Sequence, residues 1–404
     1  MTRQERIILF LLASLNFTHF LDFMIIMPLS NYLIPYFSIS AKDFSFLVSS
    51  YSISAAVSGF FTAFIVDRFD RKKVLVWSYI GFMAGTIACG FTNSFSMLLI
   101  ARIVAGLFGG IIGAQVMAII ADTFSYERRG KAMSSVTASF AVASVIGVPF
   151  SMRLTEWFHG DWHAPFLLVG GVGLLMLPLV IRYVPPIATH LQQGARRSPL
   201  DLLQTLLSHP GRRSALLFSC LLMMGHFLII PFITPFLEFN RGYHKSLIPV
   251  IYLAGGSASL IGTFILGRLS DRKGKLPVFS ACVLLSLVMV PLITSMPIVP
   301  LPVVLGFFAL LFILAAGRAL TAQAMISEIV PPEQRGSFMS FNGCVQQAGT
   351  GIASLIAGYV VYNDSSGRLY HYDWLGYLSI AVLLVSLLMA RRLFAGSDAR
   401  SVPA

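Results

Sequence analysis

Charged residues are scarce in this chain of 404 residues, because Asp, Glu, Lys and Arg together make up only 11% of it. A soluble domain carries about a quarter, so the composition excludes an ordinary water-soluble protein. Cysteine is also rare, and the four present fall inside apolar runs, where they supply neither a disulfide framework nor metal-ligand spacing. The GxxxxGK(S/T) pattern of a phosphate-binding loop is absent. We therefore expect no nucleotide site and no cofactor.

Long apolar runs take the place of the missing charge. Hydrophobic residues make up 56% of the chain, and the mean hydropathy is +0.79. A helix needs about 20 apolar residues to cross a bilayer. The runs are continuously apolar rather than alternating, which predicts membrane-spanning helices and not a barrel. Twelve spans are predicted, near residues 7–29, 44–66, 74–92, 95–120, 134–155, 164–184, 213–237, 246–268, 276–295, 298–326, 337–361 and 373–393.

The net charge of +12 could indicate a nucleic-acid partner, but the positions of the basic residues argue against one. Most of them fall at the N-terminus and on the segments that follow every second span, such as 68–73, 128–131 and 268–275. The segments on the other side carry few. This is the positive-inside distribution, which sets the orientation of a multi-pass protein. We predict a multi-pass protein of the cell membrane, the inner membrane in a Gram-negative bacterium, with both termini in the cytoplasm.

Three repeats relate the two halves of the chain. HFLDFMIIMP begins at His19 and HFLIIPFITP at His226, an offset of 207 residues. DTFSYERRG and EIVPPEQRG follow spans 4 and 10, and VDRFDRKK and SDRKGK follow spans 2 and 8. Repeats in the same chain order predict a first bundle at 1–184, a cytoplasmic connector with a short amphipathic helix at 185–212, and a second bundle at 213–404. The expected fold class is an all-α membrane protein with twelve transmembrane helices in two pseudo-symmetric six-helix bundles.

Several motifs resemble those of the major facilitator superfamily. They are GRLSDRKGK from Gly267 and Arg102 followed by Gly106, and ASVIGVP and WHAPF are similar to the twelve-span drug:proton antiporters of the arabinose-efflux-permease-like branch. The resemblance covers nearly the whole chain and implies two bundles that rock about a site at the middle of the membrane. It also implies a gating network that fastens the cytoplasmic side when the carrier faces outward. Its members would be Asp67, Arg71, Asp122, Arg129, Asp271, Arg272, Glu328 and Arg335.

Asp22 is the only acid in the middle of a predicted span. An ionised carboxylate at that depth costs roughly 2.5–3.5 kcal/mol on insertion scales, so it has to be paired, protonated or in contact with water. Such a group can exchange a proton when its surroundings change. His19 lies on the same helix face, and Arg102 can balance the charge. We predict that Asp22, His19 and Arg102 couple transport to protons; the alternative is that Asp22 merely pairs with an arginine to hold two helices together.

Other polar side chains in the spans are candidates for substrate binding. Arg318 carries a fixed charge and has no evident acidic partner in the spans, which leaves the cavity positive and favours an anionic, zwitterionic or neutral solute. The alternative is that Arg318 snorkels to the cytoplasmic headgroups. The candidates for substrate binding are Asn16, His226, Arg318, Asn342 and Gln346.

Together these features predict a proton-coupled secondary transporter that exports a small organic solute, such as a drug, sugar or metabolite, by alternating access. We expect the solute, protons and the lipid bilayer as its partners, no nucleic acid, a monomer, and no enzymatic activity. Alternatives with the same fold are a proton-coupled symporter and a lipid or lysolipid flippase. The alternative from another class is a membrane sensor or enzyme, although an enzyme would need a catalytic set such as HExxH, which the sequence lacks.

Overall fold

The computed structural model describes residues 2–65, 69–124, 126–187 and 207–395. Long helical segments occupy all twelve predicted spans within these ranges. A π-helical turn, Ala143–Gly147, joins the two helices of the fifth span. The helices of the first half are α1 (Arg3–Ile25), α2 (Ser30–Phe37), α3 (Ala41–Ile65), α4 (Arg71–Cys89), α5 (Phe95–Thr123), α6 (Tyr126–Val142), α7 (Val148–Trp157) and α8 (His163–Tyr183).

The second half follows the same plan. Its helices are α9 (Pro210–Phe227), α10 (Ile248–Lys273), α11 (Lys275–Thr294), α12 (Leu301–Glu328), α13 (Pro332–Val360) and α14 (Tyr372–Phe394). Short helical turns follow α9 at Ile230–Phe232, Ile233–Pro235 and Phe236–Asn240, and another precedes α10 at Lys245–Leu247. Strands β1 (Tyr362–Asn363) and β2 (Leu369–Tyr370) form an antiparallel hairpin before α14. Most of the predicted connector helix falls on 188–206, outside the described residues.

Ten helical segments within the described ranges are long and apolar enough to cross a membrane. The other two predicted spans correspond to α4 and α13. Basic residues 71–73 at the start of α4, and polar side chains such as Asn342 and Gln346 within α13, lower the hydropathy of these two helices. Both nevertheless pack inside the assembly, α4 against α5 and α8, and α13 against α3 and α9. The predicted all-α, multi-pass fold class is confirmed.

Local sequence signals fix where two of the helices begin. At α1, the backbone N–H of Glu5 donates to Thr2 Oγ1 at 3.1 Å and that of Thr2 donates to Glu5 Oε2 at 2.8 Å, which is a reciprocal capping box. At α4, Asp70 Oδ1 accepts from the backbone N–H groups of Lys72 and Lys73 at 2.8 and 3.2 Å. The carboxylate of Asp70 therefore has a structural role at the start of this helix.

The first bundle (α1–α8) meets the second bundle (α9–α14) along two helix pairs, α3 with α13 and α7 with α10. Glycine allows the helices to approach closely, because a side chain would collide with the opposite bundle. A Cβ added to Gly351 would lie 2.6 Å from Ile53 Cγ1, and one added to Gly256 would lie 2.9 Å from the Cα of Val145. The contact therefore depends on small residues from the second bundle.

The molecule has two ends. We call the end that holds the N-terminus and the start of α4 the basic end, and the end that holds the loops 158–162, 241–244 and 361–371 the far end. At the far end, the backbone N–H of Ala41 donates to Asn363 Oδ1 at 2.6 Å. The ammonium of Lys42 lies 4.5 Å from the centre of the Tyr359 ring, again across the two bundles.

A second polar cluster joins the bundles at the far end. Asn31 of α2 donates from Nδ2 to the Glu238 carboxylate and, at 3.4 Å, to the backbone oxygen of Thr234. Lys245 Nζ lies 3.6 Å from Glu238 Oε1 and donates to the backbone oxygen of Asn31 at 3.5 Å. These contacts join the two bundles at the far end.

Candidate functional site

A fully buried ion pair joins α1 to α5. Arg102 NH1 donates to Asp22 Oδ2 at 2.9 Å and to the backbone oxygen of Asp22 at 3.2 Å. Both side chains have an exposed fraction of 0%. The structure thus brings together the acid and the arginine that the sequence singled out, and it shows them in contact and shielded from water.

The ion pair keeps unused hydrogen-bonding capacity. Asp22 Oδ1 and the Nε and NH2 groups of Arg102 are buried without a hydrogen-bond partner. The guanidinium lies 4.3 Å from the centre of the Tyr51 ring of α3, a cation–π contact, and the Tyr51 hydroxyl is itself buried without a partner. The Thr86 hydroxyl approaches the Asp22 carboxylate without forming a hydrogen bond of normal geometry. Burying polar groups without hydrogen-bond partners is energetically costly. Such groups are typical of a site that takes up a further ligand, water molecule or proton.

His19 lies one helical turn before Asp22 on α1 and is 5% exposed. Neither of its ring nitrogens has a hydrogen-bond partner, so it makes no bond to Asp22. The positive charge of Arg102 interacts electrostatically with the imidazole ring of His19. The Phe82 ring packs edge-on against that imidazole, with the ring centres 5.8 Å apart. Gly109 of α5 leaves room for these groups, because a Cβ there would lie 2.7 Å from the Tyr51 hydroxyl and 3.0 Å from His19 Cδ2.

The second bundle holds a buried arginine of its own. Arg318 lies near the middle of α12 with an exposed fraction of 3%, and its NH1 group has no hydrogen-bond partner. It makes no ion pair within the part of the chain that the structure describes. Its charge acts on His226 of α9, whose Nδ1 is also unpartnered. A side chain so buried does not reach the headgroups, which argues against the snorkelling alternative.

The two buried sites flank the contact between the bundles. Phe23, next to Asp22, meets Phe227, next to His226, with ring centres 5.8 Å apart. The polar groups on α1 and α9 therefore lie on either side of the interface between the two bundles. This is where the major facilitator resemblance places a transport site.

The remaining predicted substrate residues have different surroundings. Asn16 donates to Ser139 Oγ at 3.2 Å, which ties α1 to α6. Gln346 donates to Ser219 Oγ at 3.0 Å, which ties α13 to α9. Asn342 is 1% exposed and neither of its amide atoms has a partner. Of these three, Asn342 is the one with its polar atoms still free, and the roles of all three stay predictions.

Sequence reasoning missed two polar residues of the first bundle. Tyr51 contributes its ring to Arg102, and Gln115 of α5 is 1% exposed with both amide atoms unpartnered. Gln115 could have been found, because an amide inside an apolar span is as conspicuous as Asp22. Nothing in the sequence distinguishes Tyr51 from the other tyrosines.

At the basic end, three of the predicted gating residues form ion pairs within their own bundle. Arg71 Nε lies 2.5 Å from Asp122 Oδ2 in the first bundle. In the second, Glu328 pairs with Lys275, which is not among the predicted gating residues, and Arg335 Nε donates to the backbone oxygen of Ser327 at 2.7 Å.

Of the other four predicted gating residues, two are exposed and two lie wholly or partly outside the described residues. Asp271 and Arg272 are exposed and, in the described ranges, without an ion pair. Asp67 and the side chain of Arg129 lie outside the described residues. The gating role of the whole network stays a prediction.

Comparison with known proteins agrees with this geometry. The family model described as Major Facilitator Superfamily matches residues 12–319 and 256–403. The chain is 27% identical over 354 residues to the uncharacterized MFS-type transporter YceJ of Bacillus subtilis (strain 168), covering 87% of this chain and 88% of the relative. It is 28% identical over 303 residues to a probable 4-methylmuconolactone transporter of Cupriavidus pinatubonensis, covering 72% of this chain and 68% of the relative.

Solved structures share the fold at low sequence identity. A bacterial homologue of the human lysosomal transporter Spinster, in an inward-facing and unoccupied conformation, has a TM-score of 0.78 at 17% identity and covers 100% of both chains. A D-xylose–proton symporter has a TM-score of 0.75 at 17% identity, over 95% of this chain and 96% of its own. The family match across most of the chain, the relatives aligned over 88% and 68% of their own length and the shared helical fold show that this protein belongs to the Major Facilitator Superfamily and is a multi-pass transporter of small molecules.

Proposed function

We propose that this transporter is proton-coupled and exports a small organic solute by alternating access, as the drug:proton antiporter branch of the superfamily does. The observation that carries the proposal is the buried Asp22–Arg102 ion pair beside the interface between the bundles. In this proposal the basic end faces the cytoplasm, the far end faces outward, and the protein works as a monomer.

The ion pair provides a switch that a proton can operate. While both groups are charged they neutralise each other, and the pair tolerates burial. Protonation of Asp22 removes the attraction, and Arg102, which cannot lose its own proton, must then find another partner. In this conformation polar contacts join the bundles at the far end, and the ion pair has no exposed surface. Opening of the far end is therefore the step that admits water and a proton to the carboxyl group.

The unpaired polar groups of the second bundle support the choice of solute. The charge of Arg318 has no internal counterpart in the described residues, which favours an anionic, zwitterionic or neutral solute over a cationic one. The relative named as a probable 4-methylmuconolactone transporter and the symporter named for D-xylose are both described as carriers of small organic molecules. Neither name includes an organic cation.

The test uses purified protein in liposomes with pH gradients imposed in either direction, with a pH-sensitive dye to follow protons. In the wild type, solute added to the lumen should drive proton movement in the opposite direction. Asp22→Asn should abolish this proton movement while leaving solute counterflow, because the neutral amide cannot exchange a proton. Asp373→Asn, at the start of α14 and away from the site, serves as the matched control.

The same assay separates the alternatives. Co-directional movement of solute and protons would establish symport, and movement of a fluorescent phospholipid without the solute would establish a flippase. If Asp22 only holds two helices together, the doubly neutral variant Asp22→Asn/Arg102→Met should keep pH-driven transport. Unchanged proton movement in Asp22→Asn would refute the coupling outright.

A further inference from the structure

We propose that Arg318 and His226 hold the carboxylate of a small organic monoanion, so that the transported solute is itself the counter-ion of the second bundle. The inference rests on the proposed transport function and names its substrate class. It depends on one comparison within the molecule, between the ionic partners of the buried arginines Arg102 and Arg318.

Each bundle carries a buried arginine on its fourth span together with the histidine of the HFL repeat. In the first bundle, Arg102 has a carboxylate partner at 2.9 Å. In the second, the residue that corresponds to Asp22 is Ile229, and Arg318 has no ion pair in the described ranges. One half is neutralised internally and the other is not.

An uncompensated guanidinium is expensive in this position. Arginine stays charged at any accessible pH, and an isolated buried charge costs several kcal/mol. The exposed fraction of Arg318 is 3%, so solvent offers little compensation, and its NH1 donor is unused. A solute anion that binds and dissociates in each transport cycle explains why Arg318 has no acidic partner in the described residues.

The chemistry of the two side chains narrows the solute to a carboxylate. The planar fork of a guanidinium donates two parallel hydrogen bonds to a carboxylate, and Nδ1 of His226 is likewise buried without a hydrogen-bond partner. One fixed cation matches one negative charge. A neutral solute would leave Arg318 uncompensated.

A zwitterion would bring an ammonium group that needs an acid of its own. The acid buried at mid-span, Asp22, already pairs with Arg102. With a monoanion as the solute, Arg102 is neutralised by Asp22 and Arg318 by the solute, and no further charge is left without a partner.

The experiment measures thermal stabilisation of the purified transporter by matched pairs of acids and amides at constant ionic strength. Benzoate, phenylacetate and hexanoate are compared with benzamide, phenylacetamide and hexanamide, with sodium chloride as the inorganic reference. At least one acid should raise the denaturation midpoint while its amide and chloride do not. Arg318→Gln should weaken the apparent affinity for that acid at least tenfold, and Arg318→Lys, which keeps a point charge but not the fork, should weaken it less.

Equal shifts from acids and amides, or the absence of any acid effect, would overturn the proposal. So would an acid response that survives in Arg318→Gln. Because Arg318→Gln could lose folded protein, its elution as a single species and its helical circular dichroism are measured first, and His226→Gln provides a second variant with the same expected loss. Acid binding at equilibrium needs no proton gradient. If an acid binds but Asp22→Asn still moves protons, the proton coupling is refuted and the carboxylate site stands. If no acid binds but Asp22→Asn stops proton movement, the carboxylate site is refuted and the coupling stands.

Discussion

Replacing the two buried arginines with methionine should change stability in opposite directions. Arg102→Met leaves the Asp22 carboxylate at 0% exposure without its counter-ion, and loss of one partner of a buried pair costs about 3–5 kcal/mol. Arg318→Met instead removes a cation that has 3% exposure and, within the described chain, no ionic partner. Its apo form should be as stable as the wild type or more stable by about 1 kcal/mol, because the desolvation of a lone charge is relieved.

The assay is the thermal denaturation midpoint of each detergent-solubilised variant, followed by tryptophan fluorescence without added solute. Taking about 2 °C per kcal/mol for a domain near the size of one bundle, Arg102→Met should lower the midpoint by roughly 6–10 °C. Arg318→Met should leave it unchanged or raise it by about 2 °C. Methionine keeps the length and apolar character of the stem in both cases, so the comparison isolates the charge.

A double variant checks that the first effect comes from the pair. Asp22→Asn/Arg102→Met removes both charges and should recover most of the stability that Arg102→Met loses, since no uncompensated ion remains. If Arg318→Met lowers the midpoint as much as Arg102→Met, Arg318 has a fixed structural partner. The reasoning about its missing counter-ion would then be wrong.

Three further changes test other parts of the structure. Gly109→Ala places a Cβ 2.7 Å from a tyrosine hydroxyl and should cut the transport rate at least tenfold, whereas Gly113→Ala on the same helix meets nothing within 4 Å and should leave the rate unchanged. Glu238→Gln weakens the far-end cluster and should raise several-fold the labelling of a cysteine introduced at the far end, with Glu156→Gln at the same end as the control. Asp122→Asn breaks a partly exposed pair at the basic end and should cost no more than about 1 kcal/mol of stability by denaturant titration.

Hydropathy predicts where the helices lie, because crossing a bilayer requires a fixed length of apolar chain. The fourth span, predicted at 95–120, is observed at Phe95–Thr123, and the twelfth, predicted at 373–393, is observed at Tyr372–Phe394. Breaks within an apolar run are invisible to this measure. The run at 213–237 loses its regular helix after Phe227, where Pro231 and Pro235 lack the N–H group that helical hydrogen bonding needs.

The candidate site was predictable to the extent that it rests on charge. A carboxylate inside an apolar run is rare enough to identify Asp22, and its need for a counter-ion led to Arg102. Which basic residue pairs with Glu328 was not predictable, because Arg272 and Lys275 lie in one short turn and only the geometry selects Lys275. The contact of Tyr51 with Arg102 depends on how α3 crosses α5, which no local pattern encodes.

The unequal treatment of charge in the two bundles has an energetic consequence under the proposed mechanism. With an inside-negative membrane, each charge moved in the favourable direction contributes about 2.3 kcal/mol per 100 mV. An entering proton exchanged for a neutral solute moves one charge, enough for a gradient between about tenfold and a hundredfold. The same proton exchanged for a departing monoanion moves two, which extends the gradient to roughly a thousandfold. The only mid-span acid lies in the first bundle, and Arg318 of the second bundle is left to bind the solute. The membrane potential therefore drives both the entry of the proton and the exit of the anionic solute.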